Sequence, residues 1–502
     1  MTRPSRILRT CAVALAFLGL SVGRASGQAL TIQGDHFAVN GTPKFLLFAS
    51  YFDAMKRSNA GGSNAGDLDT DFQLFVDNHF DGIRIFPNWQ SFNASAASPC
   101  DGSDSSHRPS TSPDTGRLLF NDDTGYAASQ ALGHTGTALL RTGMWSIFQR
   151  VLDRASAKGL LVDVSFTRDV FNVSGTYTLS TANYQAQLDI VVDALKTYYP
   201  NVLIDVQNEW PKNEGTGSTE VSYITSLIAD LQGRDSARIV TASMDLNNVG
   251  SASSGGSYAV TIGEKVVSFH DDRSGSWWSG VSSTLSGLRS GLSPSTKPIY
   301  LQEPKPASQI FGCTYDVDTT TSHFNDAAKN ARLNGAAAWT LHTRSTFDLS
   351  SCTYADKLSG SGGCAAATNE NTTLTGLYTA AETQKWAFAF TDDPIQAPST
   401  TGGSATTTIK AAHVMELRVR LNALLAHFSM SPVSWTDSPL VAGTTTAKAV
   451  HIHELRSAVC DAYTNRSLSG PAFCSTLTPS GTIYGIDIAD LRAAVLDLET
   501  HW

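Results

Sequence analysis

From about residue 45 to 341 the chain alternates short apolar runs with longer stretches whose apolar residues recur every three or four positions. The short runs fall at 45–50, 82–86, 160–166, 202–207, 238–242, 266–270, 299–302 and 336–341. Their length and richness in Val, Ile and Phe predict strands. Between them, Phe72, Phe75, Val76 and His79 would share one helical face. Trp145, Phe148, Val151, Leu152 and Ala155 form a second, and Leu188, Val191, Val192 and Leu195 a third. Val221, Ile224, Leu227, Ile228 and Leu231 form a fourth. Eight strands, each followed by a helix or crossover, define an α/β chain and predict a closed (β/α)8 TIM barrel. A doubly wound sheet is the alternative, but no glycine-rich phosphate loop follows the first strand.

The periodicity breaks in two places. A Ser/Asp/Gly-rich stretch at 91–140 follows the second strand, and in a barrel it would lie on the C-terminal face, over the cleft. The segment 393–407, DPIQAPSTTGGSATT, has the composition of a linker. Beyond it TIKAAHVMELR from Thr408, TAKAVHIHELR from Thr446 and TIYGIDIADLR from Thr482 repeat one another, which predicts a small helical repeat unit over 408–502. His413, His451 and Asp487 are equivalent in the three units, and Glu416, Glu454 and Asp490 follow three residues later. That spacing predicts capping boxes, most clearly Asp487 with Asp490. Metal ligation by His413, His451 and His453 is the other reading, and the missing histidine in the third unit weighs against it.

Residues 1–27 read as a secretion signal. Arg3, Arg6 and Arg9 precede an apolar run from Cys11 to Val22, and small residues Ala25-Ser26-Gly27 follow. The expected division is therefore signal 1–27, barrel 28–392, linker 393–407 and helical repeats 408–502. The formal net charge is −9, and loss of the signal, with its four arginines and no acid, makes it more negative. Such a surface disfavours nucleic acid as a partner. No later segment is apolar enough for a membrane span. Cys100, Cys313, Cys352, Cys364, Cys460 and Cys474 remain, an even set that suggests disulfides in an exported protein. Cys460 and Cys474 should pair, and the other four allow three connectivities. No Cys-x-x-Cys spacing supports zinc, and no metal or cofactor is expected.

Glu209 ends the run VLIDVQNE, and Glu303 ends PIYLQE. Inside a barrel a charged residue is costly, so each belongs at the mouth, where strand ends hold catalytic groups rigidly. Two carboxyl groups facing each other are what glycosidic bond cleavage requires, one to protonate the leaving oxygen and one to attack or activate water. Taken singly, either glutamate could simply end its strand in solvent.

These residues resemble the motifs of glycoside hydrolase clan A, especially its cellulase-like family five members. Asn208-Glu209 on the fourth strand and Glu303 on the seventh resemble the clan's catalytic pair. Arg84 in GIRIFPNW, His270 in VVSFH and Trp339 in AAAWTLH resemble its strand-two arginine, a strand-six histidine and the aromatic floor of the −1 sugar site. The chain departs from the family at NEW after strand four, at SFTRD after strand three, and at HDDR after strand six, where a His-x-Tyr is frequent. The resemblance implies a retaining hydrolase, with Glu209 as acid/base, Glu303 as nucleophile, and Asn208 on the sugar 2-hydroxyl. It implies that Arg84 and His270 lie near Glu303 and keep it ionised, while Glu209 is held protonated. Trp89, Trp210, Trp277 and Trp278 also follow strands and could line a cleft for sugar rings.

The expected function is thus secreted hydrolysis of β-linked polysaccharide, cellulose- or mannan-like, with polysaccharide or oligosaccharide as substrate. The alternative is a barrel that binds carbohydrate or another surface without turnover. The calcium-ligand spacing of a dockerin is missing from the C-terminal repeats, which resemble ELR-containing tandem repeats of secreted bacterial proteins. Attachment or protein interaction is their expected role.

Overall fold

The computed structural model describes residues 27–59, 65–88, 118–172, 175–271, 273–307, 317–347, 349, 352–364, 367–382, 409–428, 430–431, 433–437, 440, 446–476 and 483–500. Residues 1–26 of the expected signal segment and the expected linker lie outside these residues, as do Cys100, Cys313 and Trp89.

The eight expected strands are present. They are β1 (Leu46–Ser50), β2 (Gly82–Ile85), β3 (Leu161–Ser165), β4 (Val202–Asp205), β5 (Ile239–Thr241), β6 (Val267–His270), β7 (Ile299–Glu303) and β8 (Ala338–Leu341). All neighbouring pairs are parallel, running β5-β4-β3-β2-β1-β8-β7-β6. The far edge of β6 pairs with Met244–Asp245, which continues the chain just after β5. The two ends of the sheet are thus consecutive pieces of one strand, and the ring closes. A helix follows each strand: Ala65–Asp77, Met144–Ala157, Thr181–Leu195, Ser218–Arg234, Ala252–Thr261, Trp277–Leu292, Thr321–Leu333 and Thr368–Glu382. The chain is an α/β barrel with a helical C-terminal region.

The strands alternate faces with period two. Leu47, Ala49, Ile83, Ile85, Val162, Val164, Leu301 and Trp339 join the large core between sheet and helices. Leu46, Phe48, Leu161, Leu203, Ile239, Val266, Tyr300 and Ala338 form a second cluster, inside the ring. Phe37, from the N-terminal antiparallel strands Leu30–Gln33 and His36–Val39, packs edge-on against Tyr300 and joins that interior cluster. Gly82 is required here. A Cβ would lie 2.5 Å from the Phe48 ring and 2.6 Å from the Leu161 carbonyl oxygen.

Three of the four expected helical faces lie wholly within helices. The first loses His79, because its helix ends at Asp77 and His79 adopts a left-handed turn with φ 59°. The described part of the stretch after β2 is more regular than its composition suggested. It holds the helix Asp123–Ala131, capped by Asp122, whose carboxylate accepts the Gly125 N–H.

The repeats form three helices, Ala411–His427, Ala449–Asn465 and Gly485–Thr500, around their own apolar core of Leu417, Leu421, Leu455, Val459, Leu491 and Val495. The capping differs from expectation. Asp487 does not begin its helix and cap toward Asp490; it reaches back to accept the Tyr484 N–H at 2.7 Å. Nδ1 of His413 and of His451 do the same for Lys410 and Lys448. Histidine and aspartate are interchangeable there because each offers an acceptor at the right reach. Cys460 pairs with Cys474, as expected, and Cys352 with Cys364.

Candidate active site

Glu209 and Glu303 meet at the mouth of the ring. One carboxylate oxygen of each, with a ring nitrogen of His270, lie within 4.8 Å of one another. Local backbone irregularities aim both side chains. Glu209 sits in the left-handed region, φ 51° and ψ 43°, just past β4. A non-glycine residue there costs about 1–2 kcal/mol. Ser243 holds the turn, its hydroxyl accepting the Glu209 N–H and its carbonyl the Trp210 N–H. On β7 the register against β6 shifts between Phe269 and His270, so that His270 faces Glu303 while Phe269 faces Leu301. This irregularity lets the consecutive residues Gln302 and Glu303 both turn toward the barrel axis.

Each carboxylate has its own set of partners. His270 Nδ1 lies 3.2 Å from Glu209 Oε1, and Lys212 Nζ donates to Oε2 at 3.0 Å. Arg84 Nη1 donates to Glu303 Oε2 at 2.6 Å, and Arg273 Nη2 to Oε1 at 2.5 Å. The imidazoles of His270 and His342 stand further off, at 3.8 and 3.7 Å. Burial would raise Glu303, but His270, His342, Arg273 and Arg84 around it outweigh that and hold it well below the usual carboxylate range. Burial pushes the His342 imidazole itself well below its ordinary value, against the pull of Glu303.

Glu209 departs from expectation. Burial and the Glu303 charge push it up, yet the hydrogen bond and charge of His270, with Lys212, hold it at about 2. It is ionised in the free protein, where a protonated acid was expected. The reason is the cationic neighbourhood supplied by strand six and by the turn after strand four.

Arg84 is the hub and is wholly buried. Its Nη2 donates to Asn208 Oδ1 at 2.6 Å and its Nε to Ser165 Oγ at 2.9 Å, and its guanidinium lies 4.5 Å from the Phe86 ring centre. Arg84, Asn208, Glu209, His270 and Glu303 are therefore brought together.

The tryptophans are not. Trp210 and Trp339 are fully buried, and Trp277 is nearly so. Trp339 takes the outward parity of β8, in the same core as Leu47 and Leu301. Trp210 packs on Tyr258, and Trp277 packs on Phe324 and donates to Asp318. None offers an open ring face for a sugar, so the aromatic floor assigned to Trp339 and the lining assigned to Trp210 and Trp277 are corrected. Trp278 stacks on His323, with ring centres 3.3 Å apart.

Sequence reasoning also missed Arg273, His342 and Lys212. A signal for His342 was present: counted by twos from Ala338, the inward parity of β8 runs through Thr340 to His342, the residue just past the strand. Arg273 stood in the HDDR departure without a partner to give it meaning.

Among the described residues, Glu209, His270 and Glu303 are also close enough to share a cation. Arg84, Arg273 and Lys212 already hold these carboxylates, and a metal would have to displace them. No described helix is long and apolar enough to cross a membrane.

No protein-family model matches the sequence, and no curated protein matches it. Solved structures do. An endo-1,4-β-mannanase from Rhizomucor miehei is similar at 12% identity and TM-score 0.45, over 70% of this chain and 99% of that one. A β-mannanase from the blue mussel Mytilus edulis is similar at 13% and 0.42, over 70% and 97%. An exo-β-1,4-mannosidase from an Opitutaceae bacterium is similar at 13% and 0.44, over 86% and 78%.

Proposed function

We propose that the chain is a secreted retaining glycoside hydrolase that cleaves β-linked polysaccharide of cellulose or mannan type. Glu303 is its nucleophile and Glu209 its acid/base. The observation that carries this reading is the approach of the two carboxylates to within 4.8 Å across the barrel mouth, with Glu303 held ionised. Retaining enzymes place the pair about 5–5.5 Å apart, and inverting ones leave roughly 6.5–9.5 Å for a water.

In the first step a Glu303 oxygen bonds to the anomeric carbon as the glycosidic C–O bond breaks. The departing oxygen takes a proton held between Glu209 Oε1 and His270 Nδ1, which lie 3.2 Å apart. The Glu303 charge, which raises Glu209, vanishes in the ester, so Glu209 holds a proton less readily after that step than before it, as a base must. It then removes a proton from the water that releases the sugar. Asn208, held by Arg84, would meet the 2-hydroxyl.

Glu209→Gln and Glu303→Gln should each lower kcat by at least roughly 10³-fold on the best glycan of a neutral β-glucan and mannan panel, with folding intact. The first product should keep its anomeric configuration by NMR. A fully active variant would remove the assignment, and an inverted product would remove the double displacement. A barrel that binds glycan without cleaving it draws support from the ionised Glu209. Glycan binding with no reducing sugar released would favour it.

A further inference from the structure

Beneath the two glutamates the barrel holds more acid than it can neutralise. Asp163 on β3 and Asp205 on β4 are fully buried. Their Oδ2 atoms lie 3.6 and 3.7 Å from Arg84 Nε and Nη2. With Glu303, three carboxyl groups face this one buried guanidinium. Asp205 is well supplied with donors, taking the Ser243 N–H at 2.9 Å and the Ser165 hydroxyl at 3.1 Å. Asp163 is not. The Tyr300 hydroxyl and Gln302 Nε2 both donate to its Oδ2, at 3.0 and 2.8 Å, while its Oδ1 is buried with no hydrogen-bond partner. An orphaned oxygen on a buried carboxyl is where a proton belongs, since an unpaired buried charge is far costlier than a neutral acid.

We infer that Asp163 is a positioning residue for the proposed hydrolysis, a proton-carrying support on which Arg84 is aimed at Glu303. This rests on the assignment of Glu303 as nucleophile. The groups facing Asp163 are Arg84 on β2, Ser165 on its own strand, Asp205 on β4, and Tyr300 and Gln302 on β7. Thr340 on β8 fixes the Tyr300 hydroxyl at 2.7 Å. While Asp163 keeps its proton, Arg84 is free to neutralise Glu303. Once Asp163 ionises, a second anion stands beside Nε and competes for the same cation. Burial, with the Asp205 charge against the pull of Arg84 and the two hydrogen bonds, places that ionisation at about 7, inside the range where a hydrolase works. The support thus links Glu303, at the mouth, to the pH of a group that no substrate reaches.

The test must read Glu303 without Glu209. An activated 2-deoxy-2-fluoro-β-glycoside of glucose or mannose has a leaving group that needs no proton, so its rate of covalent trapping reports the nucleophile alone. That rate is measured from about pH 5 to about pH 9 for the full chain and for Asp163→Asn, which keeps the shape and an acceptor but cannot ionise. In the unaltered protein the rate should fall several-fold through neutrality. In Asp163→Asn that fall should disappear. Superimposable profiles would overturn the inference, as would a uniform loss at every pH, which is what a merely structural role would give. If Asp163→Asn does not fold, Gln302→Leu, which strips one donor from Asp163, should raise the midpoint of the fall; an unmoved midpoint would count against the inference. Absence of label on Glu303 in the unaltered protein, with Glu303→Gln still active on glycan, would instead defeat the proposed function.

Discussion

Arginine and acid organise both the barrel and the helical unit, but in opposite ways. In the helical unit the pairs run one to one around the bundle: Arg418 to Glu454, Arg456 to Asp487, and Arg492 to Glu416. Each joins one helix to the next, and most of these side chains keep some contact with solvent. In the barrel a single buried Arg84 faces Asp163, Asp205 and Glu303. Balanced pairs at a helix interface fix the order of packing and cost little. An unbalanced buried cluster is expensive and shifts proton affinities, so its concentration under one end of the barrel supports the proposed site there.

Breaking the hub should therefore have the largest effect. Arg84→Met takes the one shared cation away from Asp163, Asp205 and Glu303. Loss of a buried partner of this kind costs about 3–5 kcal/mol, to be read from urea denaturation of the barrel. Turnover should fall roughly 10²- to 10³-fold in whatever folds, because Glu303 loses its fully buried cation and keeps only the partly exposed Arg273. Arg84→Lys keeps the charge but not the fork that reaches Ser165, Asn208 and Glu303 at once. It should recover part of the stability and little of the rate. Equal rates for the two variants and the parent would show that the cluster is structural, like the pairs in the helices.

Another buried acid, Glu264, sharpens the comparison, because its hydrogen bonds go to Thr241 and Ala242 and not to Arg84. Glu264 is almost wholly buried; its Oε2 takes the Thr241 hydroxyl and the Ala242 N–H, and its Oε1 has no hydrogen-bond partner. Burial raises it from 4.5 to about 8, against the pull of those hydrogen bonds and Lys297. The sign follows from linkage. A folded-state value above the unfolded one stabilises fully below about pH 4.5, and that stabilisation is lost as pH rises toward about 8. The protein should lose on the order of 5 kcal/mol from this group across that window. Glu264→Gln should flatten that part of the stability profile and leave the slope of glycan turnover against pH unchanged. A slope that persists in the variant would assign it to another group.

How much of this was readable in advance depended on the range of the signal. The strands were legible because burial on both faces writes continuous apolar runs, and the helices because their apolar stripes have their own period. Glu209, Glu303, Arg84, Asn208 and His270 were legible because a charged or polar residue at the end of such a run has few places to go. Asp163 and Asp205 were not. In LVDVS and VLID an acid looks like an ordinary polar alternation, and only the closed ring reveals that its face is the inside. Trp339 was misplaced for the same reason in reverse, since one step of parity on β8 separates the cleft from the helix layer. The setting of Glu209 was hidden because His270 approaches it from a strand 61 residues away, and the contact with Lys212, three residues on, depends on the turn after β4.

The smallest effect tests the balanced half of the comparison. Asp487 does two jobs at once: its Oδ2 accepts the Tyr484 N–H at the helix start, and its Oδ1 pairs with Arg456 at 2.7 Å. Asp487→Asn keeps an acceptor for the helix start and loses the charge. At a partly exposed pair this should cost less than about 1 kcal/mol. Asp487→Ala loses both and should cost about 1–2 kcal/mol, the difference being the worth of the cap. Amide hydrogen exchange across Gly485–Thr500 reads either change locally, with the barrel amides as an internal control. Because Arg418, Arg456 and Arg492 each have their own acid, removal of one pair should leave exchange in Ala411–His427 nearly as it was. If instead all three helices loosened together, the pairs would form a coupled ring, and the contrast with the cluster around Arg84 would be one of degree.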